Sequence, residues 1–416
     1  MATRKRVLLV GGGFAGLSAA RELSATHQYD VTLVDPKDYF CYVPAAPVNF
    51  LEGASAARSL VPFPTLPGVT FKQGLLTGIT TDGTTGEATL QSGEKLAFDY
   101  ALLATGSVYA SGVKPLADVL VTRVQRLQQF ADIGSKIEKA ASVLIVGGGP
   151  VGIEVAAEIL HHFPAKKVRL VCAHSTLLDR MDPQAKEYAA KWLHQNGVDV
   201  VTGKRISDWG GLTDGDPGPA TLTTTTGERI SADLVFKCVG VRPATALYAA
   251  SLQGPGQLSG SGAVAVEPTL QVVGWRNVFA VGDCNTVKEE KTAALAGVAA
   301  KVAAQNIVLL DAGKELQRYP DSVFGGPAPM VGGFTLGPKA GVMQMGSTVQ
   351  AGGAPAKFKA MFGWIFVRMV AGSRWWGWVY KQMVKQMVSG LTKDVRKSKE
   401  AAAAAQAANG AAAAPA

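Results

Sequence analysis

The chain has 416 residues, of which 47% are apolar and 18% charged, a balance that suits two or three domains with full hydrophobic cores. The net charge of +9 is local: residues 357–400 hold ten Lys/Arg against two acids, and the rest carries 31 basic and 30 acidic residues. Nucleic-acid binding by the whole chain is therefore not expected, and the basic signal belongs to one C-terminal segment.

Cys41, Cys172, Cys238 and Cys284 form no C-x-x-C pair, so no local redox dithiol or zinc knuckle is expected, and a reducing compartment fits so few cysteines. The five histidines are scattered, and His161 and His162 have no partners at ligand spacing, so no metal site is expected. A strand is expected to begin at Val7, so no signal or transit peptide is expected, and with Ala2 at the second position no N-myristoylation is expected.

The first strand opens a repeat. Residues 6–23 read RVLLVGGGFAGLSAAREL and residues 142–159 read SVLIVGGGPVGIEVAAEI, aligned without gaps at an offset of 136. Each is an apolar run, then G-x-G-x-x-G, then a helical pattern. A second pair, FDYALLATGS at 98–107 and ADLVFKCVGV at 232–241, repeats at almost the same offset. Two copies of one dinucleotide-binding unit explain both pairs. Gly11 and Gly147 allow the tight turn, Gly13 and Gly149 let backbone N–H groups approach a pyrophosphate, and Gly16 and Gly152 let helix and strand pack closely.

The copies differ where a ribose would sit. In the first, VTLVDP ends at Asp35, a carboxylate placed to accept hydrogen bonds from an adenosine ribose. In the second, VRLVCAHS carries Cys172, Ala173, His174 and Ser175, with Arg180 nearby and no acid, so NADPH should be tolerated. Further on, NVFAVGDC at 277–284 returns to complete the first unit and offers Asp283 to the ribityl or phosphate chain of FAD. Glu154, where the first copy has Ser18, lies on the first turn of the second helix. It either complements the helix dipole, worth about 0.3–1 kcal/mol, or orients the nicotinamide, the preferred reading because it occurs only in the second copy.

The motifs VGGGFAG, VDPKDYF, FKQGLLTGI, LLATGS, VGGGPVGIEVAAEI, CVG, VFAVGDC, ALAG and AAQNIV occur in order over residues 6–390. In them the chain resembles the FAD-dependent pyridine-nucleotide oxidoreductases, and within these the apoptosis-inducing-factor-like, ferroptosis-suppressor branch, related to type II NADH dehydrogenases. The resemblance implies hydride transfer from NAD(P)H to flavin and then reduction of a lipid-soluble quinone. It implies FAD contacts at Gly11, Phe14, Ala15, Gly16, Asp35, Lys37, Thr77, Thr105, Gly106 and Asp283. It places Gly147, Gly149, Gly152, Glu154 and Gly240 at the nicotinamide site, with Glu154 as the catalytic residue. The missing dithiol beside Cys41 departs from the disulfide reductases, and ALAGVAAK at 294–301 lacks the glutamines of respiratory type II enzymes. A respiratory or plastid type II NADH dehydrogenase, and an NADH-sensing signalling protein with little turnover, are the alternatives.

The C-terminal stretch 358–391 holds Trp364, Trp375, Trp376 and Trp378. Arg368 and Arg374 interrupt it, so a spanning helix is not expected. In 376–391, Tyr380, Met383, Val384, Met387, Val388 and Leu391 share one helical face, while Lys381, Gln382, Lys385 and Gln386 share the other. The pattern fits an interfacial helix on a bilayer or, alternatively, a helix packed on the flavin domain.

The expected fold is α/β, with two Rossmann-type domains and a C-terminal α+β membrane and quinone-access segment. Residues 1–112 and 263–320 would form the FAD domain and 113–262 the NAD(P) domain. Residues 321–400 would form the C-terminal domain, and 401–416 a disordered alanine-rich tail. The expected location is a cytoplasmic membrane face or lipid droplet. The oligomeric state, with a homodimer as one option, stays open.

Overall fold

The structure, a computed structural model, describes residues 4–412. Strand Lys5–Val10 is buried from Val7 onwards, as expected for a parallel strand covered on both faces. It sits at the centre of a five-stranded parallel sheet in the order Val278–Ala280, Tyr100–Leu103, Lys5–Val10, Tyr29–Asp35, Val69–Gln73. Val7 lies opposite both Val31 and Tyr100, and Leu9 opposite both Leu33 and Leu102. The glycine turn, Asp35, Thr105 and Asp283 therefore all emerge at the carboxyl edge of one sheet, where open α/β sheets bind ligands.

The second copy repeats this arrangement. Ser142–Val146 pairs in parallel with Lys167–Val171 on one side and Arg229–Lys237 on the other, within a six-stranded sheet that ends in two antiparallel strands. The chain crosses between the units twice, and the crossings pair with each other: Ser107 lies opposite Pro243, and Val108 opposite Arg242.

A third unit straddles both copies. A three-stranded antiparallel sheet, Val331–Leu336, Ala340–Met345 and Thr348–Gly352, packs on helix Pro150–His162, and Phe334, Leu336 and Val342 enter the core of the second unit. A hairpin of helices Gly353–Val370 and Arg374–Ala412 follows, and Phe366, Met369, Val370 and Leu391 enter the core of the first.

Of the two placements open for the 376–391 stripe, the structure shows the packed one: Tyr380, Val384, Met387 and Val388 pack against the first unit's core, with Leu391 buried. A periodic stripe shows that one helix face is covered, not what covers it. The tail expected to be disordered is helical as far as Ala412, because alanine has the highest helix propensity of all residues; residues 413–416 lie outside the described ones. Among the described helices, only Ala293–Asp311 has the length and apolarity to cross a membrane. Over half of its apolar window is buried, and its small residues Ala296, Ala299, Ala300 and Ala303 bring it close against the first Rossmann helix.

Candidate active site

The first cradle is shaped by backbone proximity. Gly11 adopts φ +107°, and a Cβ there would lie 2.2 Å from the Ala104 carbonyl oxygen on the neighbouring strand. At Gly13 a Cβ would meet nothing within 4 Å. This residue caps helix Phe14–Ser24 with no side-chain hydrogen bond and no acid in the first turn, so the helix presents free N–H groups to open space. Such a terminus fits a pyrophosphate. Ala15 and Gly16 lie on this turn; Gly16 abuts the Gly11 carbonyl, and Gly282 rests beside Ala15.

Asp35 is 2% exposed and accepts hydrogen bonds from Gly12 N at 2.5 Å and Lys37 N at 2.8 Å, with the Lys37 ammonium at 2.6 Å. Asp283 lies on a turn fixed by Lys291, whose Nζ donates to the Gly282 carbonyl at 3.1 Å and to Asn285 Oδ1 at 2.8 Å. Asp283 Oδ2 accepts from Ser107 Oγ at 2.6 Å and faces Lys114 Nζ at 3.2 Å. Thr105 Oγ1 lies 2.8 Å from Tyr248 OH, and Gly106, with φ +72°, stands open beside it. Thr77 departs from its expected place. Its hydroxyl donates to the Thr89 carbonyl inside a separate three-stranded hairpin sheet, so it holds that sheet together rather than facing the cradle. Phe14 turns partly away from the cradle, packing 4.9 Å from Phe366 and 5.3 Å from Phe40.

The second cradle has the same construction. Gly147, at φ +128°, presses against the Cys238 carbonyl, Gly149 is open and Gly152 abuts the Gly147 carbonyl. Gly149 caps helix Pro150–His162 without a side-chain bond, again leaving an anion-ready terminus. Gly240 is open, between the exposed Val239 and Val241. Ala173, His174 and Ser175 are exposed past the end of their strand. The strand end itself carries no acid, as read, but the Asp179 carboxylate folds back to 3.9 Å from His174 Nδ1. Arg180 reaches across to Glu290 of the other unit at 3.2 Å. Spacing along the chain gave no sign of either contact.

Glu154, the fifth residue of helix Pro150–His162 and so just past the first turn expected for it, is 6% exposed. Its Oε1 accepts from Thr335 N at 2.8 Å and from Thr335 Oγ1 at 3.1 Å, and pairs with the Lys359 ammonium. Thr335 and Lys359 both belong to the C-terminal unit, some 180 and 205 residues on. The Tyr42 ring touches the helix that carries Lys359: a Cβ at Gly363 would fall 2.9 Å from it. Phe14, Phe40, Tyr42, Phe366 and Tyr380 make a continuous aromatic wall where the first unit meets the hairpin, with ring centroids 4.9–6.0 Å apart. One helical turn from Glu154, burial and the charges of Glu154 and Glu52 push the Glu158 carboxyl up to about 7.

The tryptophans divide. Trp376 is half-buried, edge-on to Trp364 at 4.6 Å, and Arg368 covers the other ring. Trp375 and Trp378 stack on each other and stand 63% and 55% exposed, and Trp364, Met361 and Phe358 are exposed on the preceding helix of the hairpin. Lys381 and Lys385 are exposed, away from the buried stripe.

Two uncapped dinucleotide cradles on duplicated Rossmann units, with Glu154 buried beside the second, mark a flavoprotein oxidoreductase that uses a pyridine nucleotide. Residues 5–305 match the pyridine nucleotide-disulphide oxidoreductase family, and the chain belongs to that family. It is 33% identical to ferroptosis suppressor protein 1 of Xenopus tropicalis over 318 residues, covering 76% of this chain and 83% of the relative. It is 30% identical to apoptosis-inducing factor homolog B of Dictyostelium discoideum over 372 residues, covering 85% and 93%. In fold it is similar to the sulfide:quinone oxidoreductase of Aquifex aeolicus, with TM-score 0.69, 18% identity and coverage of 88% and 91%. It is also similar to NDH2 of Plasmodium falciparum in complex with NADH, with TM-score 0.66, 15% identity and coverage of 95% and 98%.

Proposed function

We propose that this chain is an FAD-dependent NAD(P)H:quinone oxidoreductase acting at a membrane surface. The observation that carries the reading is the Glu154–Lys359 pair, which ties the helix of the nucleotide cradle to the helix hairpin bearing the exposed tryptophans. The names of relatives and structural neighbours, a ferroptosis suppressor and a sulfide:quinone oxidoreductase, support it.

The first cradle fits FAD. Gly13 and the open terminus of helix Phe14–Ser24 would hold the pyrophosphate, Asp35 the adenosine ribose, and Asp283 the ribityl chain. When bound, the flavin supplies two-electron transfer between nicotinamide and quinone. Gly149 and the second helix terminus hold the pyrophosphate of NAD(P)H, and Glu154 fixes the carboxamide, itself held rigid by Thr335 and Lys359. The aromatic wall excludes water on the hairpin side. Trp375, Trp378 and Trp364 insert at a lipid interface, and Lys381 and Lys385 attract anionic headgroups. The protein thus sits peripherally on a cytoplasmic membrane face or lipid droplet, where its quinone dissolves.

Steady-state oxidation of NADH and NADPH by the flavin-loaded protein, with and without a panel of quinones, tests the reading. Quinone-dependent turnover supports it. Flavin reduction with negligible turnover for every quinone points instead to nucleotide sensing.

A further inference from the structure

The two carboxylates of the first cradle each hold a lysine. Lys37 pairs with Asp35 at 2.6 Å, and Lys114 Nζ lies 3.2 Å from Asp283 Oδ2 and donates to Ser107 Oγ at 2.6 Å. A pyrophosphate bound beside two carboxylates adds like charge, so the cradle needs cations as well as the helix terminus. Lys114 is placed to supply one, yet it belongs to neither the sheet nor the helix of the cradle. It opens the irregular segment 114–121, which leads into helix Arg123–Lys139. Both ends of this segment are tied. Before it, the chain turns through Ser111 and Gly112 at φ +58° and +69°, and the fully buried Arg126 donates to the Gly112 and Val113 carbonyls at 2.7 and 2.8 Å. At its far end, Val121 N donates to the Pro36 carbonyl at 3.1 Å in a bridge with Lys37, and Arg123 N donates to Asp38 Oδ1 at 2.8 Å. The segment therefore runs from the partner of Asp283 to the partner of Asp35. Between these ties it is apolar and uncovered: Leu116, Val119 and Leu120 are 45%, 42% and 49% exposed, although Val113 just before them is buried. Single exposed apolar residues are ordinary; three so close together, on a segment tied at both ends to the carboxylates of a cofactor cradle, call for a ligand as their cover.

We propose that residues 114–121 are a strap that closes over the diphosphate and adenosine of bound FAD, with Lys114 meeting the phosphates and Leu116, Val119 and Leu120 covering the adenosine end. This rests on the reading of the first cradle as the FAD site. The strap keeps water from the lysine–phosphate contact, which strengthens it, and its apolar side chains leave water only when the adenosine lies beneath them. Arg126 and the Val121 bridge hold both ends in place, so the middle of the segment must lift before the cofactor can leave. The strap therefore acts on the release rate of FAD, which it keeps slow.

The test follows release of FAD from the flavin-loaded full chain, read as the rise of flavin fluorescence after dilution. Lys114→Met and the double variant Leu116→Ser, Leu120→Ser change side chains that stand partly in water, so the fold should hold; a denaturant melt checks this. Each should release FAD on the order of tenfold faster than the wild type. The Lys114→Met difference should shrink at high salt, and the leucine difference should persist. Hydrogen exchange should show the amides of 115–121 protected in the flavin-loaded wild type and fast in Gly13→Val, where the cradle is blocked, with no such change in the distant sheet Val331–Gly352. Wild-type release rates in both variants, or fast release in Lys114→Met alone with 115–121 exchanging equally with and without flavin, overturn the strap and leave the FAD site standing. A wild-type chain that carries no flavin and takes up none on incubation with FAD overturns both.

Discussion

Lys359, on the first helix of the C-terminal hairpin, neutralises Glu154, the fifth residue of the second Rossmann helix and one position past the first turn expected for it. The pair gives the carboxylate a partner much stronger than the helix dipole, and it couples the nucleotide site to the unit expected to meet the membrane. Glu154→Gln should slow flavin reduction by NAD(P)H on the order of 100-fold, the cost of a misplaced reactant, while flavin stays bound. Lys359→Met should also lower stability by about 2–3 kcal/mol, at or below the usual cost of breaking a buried pair, because a quarter of Lys359 meets solvent. Stopped-flow bleaching and denaturant melts of the two variants and their double mutant separate the roles; additive effects on bleaching would mean that the residues act independently.

Flavin retention tests the first cradle. Gly13→Val places a side chain in space free of protein atoms within 4 Å of the Cβ, so the fold should survive while the flavin is lost. Asp283→Ala removes the acceptor of Ser107 and the partner of Lys114 and should leave much less flavin than the wild type. The flavin-to-protein absorbance ratio reads both. Full yellow occupancy in Gly13→Val contradicts the assignment.

Cofactor choice turns on contacts that the strand pattern did not show. The NADPH/NADH efficiency ratio should lie within about tenfold of unity or favour NADPH, ~1.4 kcal/mol at most against it. Glu290→Gln releases Arg180, and Asp179→Asn removes the carboxylate beside His174. Each should raise the NADPH ratio by up to about tenfold, one charge-assisted contact to a 2′-phosphate. Ala173→Asp should shift preference to NADH. Unchanged kcat/KM ratios in all three variants would place the 2′-phosphate elsewhere.

Membrane contact is assigned to the exposed tryptophans rather than to the stripe. Changing Trp375 and Trp378 to Ser should weaken binding to anionic liposomes at all salt concentrations. Lys381→Glu with Lys385→Glu should remove only the salt-sensitive part, about 1 kcal/mol per lysine. Val384→Ser should lower stability instead, since that side chain packs in the core. Cosedimentation that is the same for both surface variants and the wild type would show that the hairpin does not bind lipid.

What the sequence made legible was local. Two glycine turns, each between a strand and a helix, carry their meaning within about twenty residues, and a repeat offset of 136 exposes the duplication. Asp35 was legible as the last residue of its strand, and Asp283 as part of the turn that follows its strand at the same carboxyl edge. The contacts that complete the site join distant parts of the chain. Lys359 and Thr335 reach Glu154 from the C-terminal unit, and Glu290 reaches Arg180 across the two sheets. Residue type and periodicity carry no trace of such pairings. Thr77 was misplaced because the chain turns into a hairpin immediately after the sheet's edge strand, and the 376–391 stripe stayed open between two placements because amphipathicity does not distinguish a core from a bilayer.

The central claim is electron transfer from a nicotinamide, through the bound flavin, to a quinone dissolved in lipid. Its most direct test is anaerobic. The flavin-loaded protein is bleached with one equivalent of NADPH and mixed with anionic liposomes with and without a long-chain quinone, while flavin absorbance is followed. The account predicts rapid return of the oxidised spectrum only with quinone-loaded liposomes, much slower in the Trp375→Ser, Trp378→Ser variant. A flavin that stays reduced in the presence of quinone-loaded liposomes, although NADPH bleached it readily, would contradict it.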